Sequence, residues 1–294
     1  MNVCGRELRV QGRLIRIASL AADGFEFLDD PDAALSTLRR SGTRIDLFSF
    51  TQELPETSQT YAFPIERDNV AALPVSTFDH WWTRQINVKT RNMVRRAEKK
   101  GVEIREVPFD DTLVRAISAI YNESRFRQGK PFRHFGKDLE TLRREHATFL
   151  ERSVFLGAFL GDELIGFAKL VASDRQMGIM QIVSMIGHWD KAPTNALIAD
   201  AVRCCAARGM SYLVYARFSE RNKQRDSLSD FKKHNGFQRV DIPRYYVPLT
   251  LVGRAALRLG LHRGFVDHIP EPVLVKLRRI RSLWYSRKFQ TAAF

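Results

Sequence analysis

Three cysteines are too few, and too poorly spaced, to hold this chain together. Cys4 stands alone near the start, and Cys204 and Cys205 are neighbours. An odd count without framework spacing excludes a disulfide scaffold and fits reduced thiols, so a cytoplasmic location is expected. With no second CxxC and no close His pair, no metal site is expected either. The adjacent pair reads as two small residues on a helix. Long apolar runs are also missing. The longest uncharged window, Gln176 to Trp189, is too short to cross a bilayer as a helix and reads as a buried strand. The N-terminus scatters arginines among its apolar positions, so a secretory signal is not expected. No internal repeat and no low-complexity tract interrupts the sequence.

Acidic residues are in short supply. There are 33 Asp and Glu against 47 Lys and Arg, for a formal net charge of +14. That excess implies contact with something anionic: RNA, phospholipid head groups, or a phosphorylated or nucleotide-bearing substrate. The hydrophobic content of 44% is ordinary, and 294 residues can bury one large core or two modest ones. Wholesale disorder is excluded.

Residues 1–100 read as a smaller N-terminal α/β domain. Strand-like runs cover Leu14–Ala18, Ile45–Phe50 and Tyr61–Ile65, and one short helix is framed by Asp30 as N-cap, Pro31 as first helical residue and Gly42 as stop. A longer helix is expected from Ser76 and Asp79 to Gly101. Its period puts Trp82, Ile86, Met93 and Ala97 on one face, with Arg84, Arg91, Arg95 and Lys99 opposite. Residues 101–250 then run strand (VEIREV), helices over 110–123 and 137–150, and a hairpin of SVFLGAF with ELIGFAKLVAS. IMQIVSMIG follows as a third long strand, then the loop HWDKAP and a helix from Thr194 to Arg208 ended by Gly209. YLVYARF is a strand, DSLSDFKKHNG a short helix, and FQRV and RYYVPL two closing strands. This order is that of an α/β chain with a mixed sheet and helices on both faces. Residues 251–294 form a basic helical tail. Nine Lys/Arg face only Asp267 and Glu271 there, in two amphipathic candidate helices with Trp284 and Tyr285 near the end. Such a tail suits an anionic membrane surface.

The stretch 121-YNESRFRQGKPFRHFGKD-138 is too basic for a core and too aromatic for a solvated loop. Gly129-Lys130-Pro131 marks a turn. Phe126, Phe132 and Phe135 can anchor it, leaving Arg125, Arg127, Gln128, Arg133 and His134 to contact an anionic substrate, since guanidinium forks bind phosphate or carboxylate bidentately. We read it as a substrate lid, with a purely structural loop as the competing reading.

The element order, together with TRNMVRRAEKKGVEI, PTNALIADAVRCCAARGMSYLVY and FKKHNGF, resembles the GNAT acyltransferase fold. More closely it resembles the FemAB-type branch, whose members include ligases that move aminoacyl groups from tRNA onto peptidoglycan precursors. The likeness spans roughly residues 80–250 and leaves the N-terminal part as a degenerate partner domain. It implies an N-acyl- or aminoacyltransferase acting on the amine of an anionic, envelope-linked acceptor. No tightly bound cofactor is implied, and the donor is either aminoacyl-tRNA or acyl-CoA. His188, at the end of the third long strand, is the candidate base. Tyr215 is the candidate proton donor. Lys232 matches the lysine of the family's FK motif and would stabilise negative charge. The bland alternatives are a loop-bonded histidine, a core tyrosine and an exposed lysine. In place of the glycine-rich loop of acetyl-CoA-dependent members stands 187-GHWDKAPTNA-196, in which Pro193 removes a donor. Lys191, Thr194 as N-cap, and Asn195 remain to hold a donor phosphate, a set better suited to one phosphate of a tRNA 3′ end than to a pyrophosphate. Two other classes fit the composition: a non-catalytic RNA-binding protein on a transferase-like fold, and a peripheral protein held at the inner membrane face by its tail.

Overall fold

The computed structural model describes residues 1–219 and 227–263. The strands are β1 (Asn2–Val3), β2 (Arg6–Gln11), β3 (Ile17–Leu20), β4 (Leu47–Thr51), β5 (Ile65–Pro74) and β6 (Val102–Val107). A small ribbon follows, β7 (Phe126–Arg127) with β8 (Lys130–Pro131), and then β9 (Ser153–Leu160), β10 (Glu163–Ala172), β11 (Gln176–Ser184), β12 (Tyr212–Val214) and β13 (Gln238–Pro248). All but the ribbon join one mixed sheet of eleven strands in the order β1-β2-β3-β4-β13-β5-β12-β11-β10-β9-β6. The helices are α1 (Pro31–Arg40), α2 (Phe78–His80), α3 (Val88–Lys99), α4 (Asp111–Asn122), α5 (Leu139–His146), α6 (Pro193–Ala207), α7 (Ser227–His234) and α8 (Leu251–Arg258).

Helices cover both faces of the sheet. Strand β10 is buried on both sides, so it reads as a continuous apolar run. Ile165, Ala168 and Leu170 pack with Leu197, Ala201 and Val202 of α6 and Val94 of α3. Leu164 and Phe167 pack with Leu113, Val114 and Ile117 of α4 and Leu142 of α5. In the other half, Leu35 and Leu38 of α1 pack on Phe48, Phe50 and Tyr245. Helix α1 starts as its sequence requires: Asp30 accepts from the Ala33 amide at 3.0 Å and Pro31 takes the first position.

The sheet does not break at residue 100. Strand β5, from the first hundred residues, lies between β12 and β13. Strand β13 makes this possible because it pairs with β5 over Gln238–Tyr245 and with β4 over Arg244–Pro248. FQRV and RYYVPL are accordingly one strand and not two. Pro243 is tolerated because it falls opposite Arg67 just before the pairing with β4 begins at Arg244.

The single helix expected up to Gly101 is also interrupted. After α2 a π-helical turn spans Trp81–Gln85, and Ile86 turns extended. Asn87 then caps α3, accepting from the Thr90 amide at 2.9 Å. Arg91 does not face solvent with its neighbours; its Nη1 donates to the carbonyls of Trp82 and Ile86 and seals the break. Among the described residues no helix is long and apolar enough to cross a membrane. Of the basic tail, α8 and the residues to Arg263 are described, and the helix expected at Pro272–Phe289 lies outside the described residues.

Candidate active-site cleft

Strands β11 and β12 run parallel, but they pair only over Gln176–Gly178 and Tyr212–Val214. Beyond that point β11 continues to Ser184 beside β10, whereas the chain after β12 stays on β5 through Tyr215 N–H to Ala71 O at 2.8 Å. The strands therefore splay. Helix α6 begins at the open end, and a cleft of about 490 Å³ fills the wedge. Its walls are apolar, from Met93, Phe132, Ile182, Trp189, Leu228 and Phe231, and its polar groups come from Arg127, Gln128, Ser184, Thr194, Asn195 and Tyr215. An apolar pocket with a few convergent polar groups is what a small-molecule or reacting-group site needs.

Tyr215 is half-buried, and burial pushes its phenol up to about 12. Beneath it the Lys232 Nζ lies 4.5 Å from the ring centroid and donates to the Arg217 carbonyl at 2.6 Å. Lys232 is 2% exposed, so it is neither a surface lysine nor part of the cleft wall, and it supports the tyrosine from behind. Thr194 is not the cap of α6. That position is held by Ala192 in the left-handed region, and the Thr194 hydroxyl pairs with that of Ser184 at 2.9 Å. Asn195 Nδ2 lies 3.4 Å from Asn235 Oδ1.

His188 and Lys191 do not line this cleft. Both sit on the 3-10 turn Ile186–Lys191, where His188 Nε2 turns to Glu163 at 3.8 Å and Lys191 pairs with Asp190 at 3.3 Å. The basic stretch divides likewise. Gln128 and Gly129 take positive φ of 52° and 71° at the ribbon tip, the turn geometry that suits a two-residue hairpin. This directs Arg127 and Gln128 to the cleft. Arg125 instead stacks over Phe135. Arg133 and His134 belong to a separate pocket with Lys137, Glu145, His146 and Gln181.

Arg127 works as a bolt. Its Nη1 donates to the Ser184 carbonyl at 2.6 Å, its Nη2 to the Ile120 carbonyl at 2.8 Å, and the guanidinium lies 4.5 Å from the Phe132 ring centre. Its Nε is buried without a partner. Next to it stands Glu123, which the residue pattern alone did not single out. Glu123 Oε2 accepts from the Ile186 amide at 2.7 Å and Oε1 from the Gly187 amide at 2.8 Å, while Arg127 Nη2 lies 3.3 Å away. The one signal in the sequence is the i, i+4 spacing of Glu123 and Arg127. The first two free amides after β11 thus already hold a carboxylate.

No protein-family model matches the chain. No curated protein matches its sequence. Solved structures match it in shape. FemX superposes over 86% of each chain with a TM-score of 0.62 at 11% identity. L-PGS from Bacillus licheniformis gives 0.55 at 13% identity, covering 86% of this chain and 85% of its own. The C-terminal domain of a putative lysylphosphatidylglycerol synthetase from Agrobacterium fabrum gives 0.52 at 15%, covering 86% and 84%. The chain has the FemAB-like GNAT fold.

Two outcomes follow from this geometry. Arg127→Ala should destabilise the protein by about 2–4 kcal/mol, because it removes buried bonds to two carbonyls and leaves them unsatisfied. Arg125→Ala should stay within about 0.5 kcal/mol, as for most exposed positions. Urea denaturation of the two variants distinguishes them.

His134 and His146 are both held near 4, chiefly by burial, with Lys137 and Arg133 adding for the first and Lys169 for the second. Both folded-state values are depressed below the ordinary 6.5, so in that window the unfolded chain binds protons that the folded chain does not. Stability should therefore fall as pH drops from 6.5 toward 4. Thermal midpoints across this range should decline, and His146→Gln should flatten the decline.

Proposed function

We propose that this chain is an acyltransferase that takes an aminoacyl group from the 3′ end of an RNA and passes it to an amine or hydroxyl of an anionic, envelope-linked acceptor. The observation that carries the choice of donor is the Glu123 carboxylate on the Ile186 and Gly187 amides. A CoA pyrophosphate arriving there would meet a like charge and two donors already in use. An aminoacyl ester needs no pyrophosphate cradle, and the apolar walls of the cleft suit its side chain. The fold supports transfer chemistry in general, and the name of one neighbour, which specifies lysylphosphatidylglycerol, supports an anionic lipid as one acceptor.

Transfer requires that a C–N or C–O bond form at the ester carbonyl while the bond to the ribose oxygen breaks. Tyr215, like any tyrosine, is protonated at neutral pH, and burial pushes its phenol further up to about 12. It donates that proton to the departing ribose oxygen and recovers one from the attacking nucleophile, so no net charge is left on the protein. Arg127 lines the cleft, and its guanidinium charge stabilises the carbonyl oxygen as it gains negative charge. Lys232 acts through Tyr215 as a positioning residue.

The acceptor is met at a membrane surface. Leu251 and Val252 on α8, and Leu259 and Leu261 just after it, are exposed beside Arg254, Arg258 and Arg263. Full-length protein should float with phosphatidylglycerol vesicles and not with neutral ones, and a chain ending at Thr250 should float with neither.

For the chemistry, Tyr215→Phe should lower kcat by about 10²–10⁴ with little change in KM. Titration calorimetry with acetyl-CoA should give no binding at concentrations where GNAT enzymes saturate. Micromolar binding of acetyl-CoA would overturn the choice of donor.

A further inference from the structure

Helix α3 carries a charge pattern that makes no sense for the helix alone. Lys89, Arg91, Arg95, Arg96, Lys99 and Lys100 are offset by Glu98 only, and Arg95–Lys99 and Arg96–Lys100 are like-charge pairs at i, i+4. Such pairs repel and cost helix stability, whereas a merely solvated face mixes signs. Arg91 is used internally. The other five cations are exposed. Among the described residues none of the five forms a close ion pair, and Asp190 acts on Arg96 and Lys100 only from longer range.

Position decides what that charge faces. Residues 89, 93, 96 and 100 fall on one stripe of α3. Met93 lines the cleft, so Lys89, Arg96 and Lys100 stand along the cleft's rim. At the far end, Asp190 lies within the field of Lys100 and Arg96. Asp190 follows Trp189, which also lines the cleft. The stripe is roughly 16 Å long. That is enough to follow several nucleotides of one strand, at roughly 3.4 Å of rise each.

The other side of α3 is already occupied: Arg95 covers the Trp82 ring at 5.5 Å, and Arg203 covers Phe78 at 4.1 Å. A membrane would instead call for exposed apolar side chains among the cations, and these lie on α8. On α3 the exposed large apolar residue is Val88.

We infer that Lys89, Arg96 and Lys100 form the landing surface for the phosphate backbone of an RNA whose single-stranded 3′ end enters the cleft beside Met93. This rests on the reading of the cleft as an aminoacyl-ester site. The stripe gives reach and orientation, and the cleft does the chemistry.

The test uses full-length protein and an unacylated RNA hairpin with a single-stranded 3′ overhang, followed by fluorescence anisotropy over a salt series. Replacing the three cations together (Lys89→Gln, Arg96→Gln, Lys100→Gln) should weaken binding about tenfold or more and make the log–log salt slope shallower by about two. The charge-preserving set (Lys89→Arg, Arg96→Lys, Lys100→Arg) should restore both. Removing the Arg96–Lys100 like-charge pair should leave the melting temperature unchanged or raised, which separates lost binding from lost folding. A 3′-aminoacyl dinucleotide, too short to reach the stripe, should be used equally by wild type and triple variant. If wild type does not transfer from the dinucleotide while the slope still changes, the aminoacyl reading of the cleft falls and the RNA surface stands. An unchanged slope in the triple variant, or a loss confined to phosphatidylglycerol vesicles, would overturn the RNA surface.

Discussion

Beyond Gly178 and Val214 the parallel strands β11 and β12 lose contact, and the rest of the molecule is arranged around that loss. A sheet that stayed paired would leave no room between Ile182 and Tyr215. Strand β12 is held to β5 on its other side, so it cannot follow β11 as that strand leans toward β10. The wedge is therefore a consequence of two competing ladders, and helix α6 starts where they part. Arg127 closes one side of the wedge by bonding the last carbonyl of β11, and the Ser184–Thr194 hydroxyl pair links that strand end to α6.

The order of elements after residue 100 was legible in the sequence because each signal there is local. Asp110 and Asp138 accept from amides three residues on, apolar runs of strand length lie between polar turns, and Gly209 takes the positive φ that ends α6. The misread elements are those where a distant partner overrides a local rule. Pro243 marks a break to any sequence reading, yet β13 runs through it because the two neighbouring strands divide its length. The helical period continues across Ile86, but Asn87 offers its side chain to the Thr90 amide and the helix restarts.

The candidate site follows the same logic. Tyr215, Arg127, Gln128, Thr194 and Asn195 meet at the cleft because they sit at the ends of elements whose order could be read. His188 and Lys191 sit in the 3-10 turn Ile186–Lys191, where they turn to Glu163 and Asp190 and not into the cleft. Glu123 was invisible because its partners are main-chain amides more than sixty residues later, and amides carry no residue type. FKKHNGF reads as offering either a charge-stabilising lysine or an exposed one, and the fold puts Lys232 beneath an aromatic ring instead.

The carboxylate on those amides also determines when the loop between β11 and α6 takes its shape. In a site completed by its ligand, that loop orders only on binding, and the entropy of ordering weakens affinity for whatever arrives. Here Glu123 plays the ligand's part from within the chain. The turn from Ile186 onward is then formed during folding, before any donor is present. If the donor is the one proposed, selectivity is subtractive: a CoA pyrophosphate would find both amides already in use.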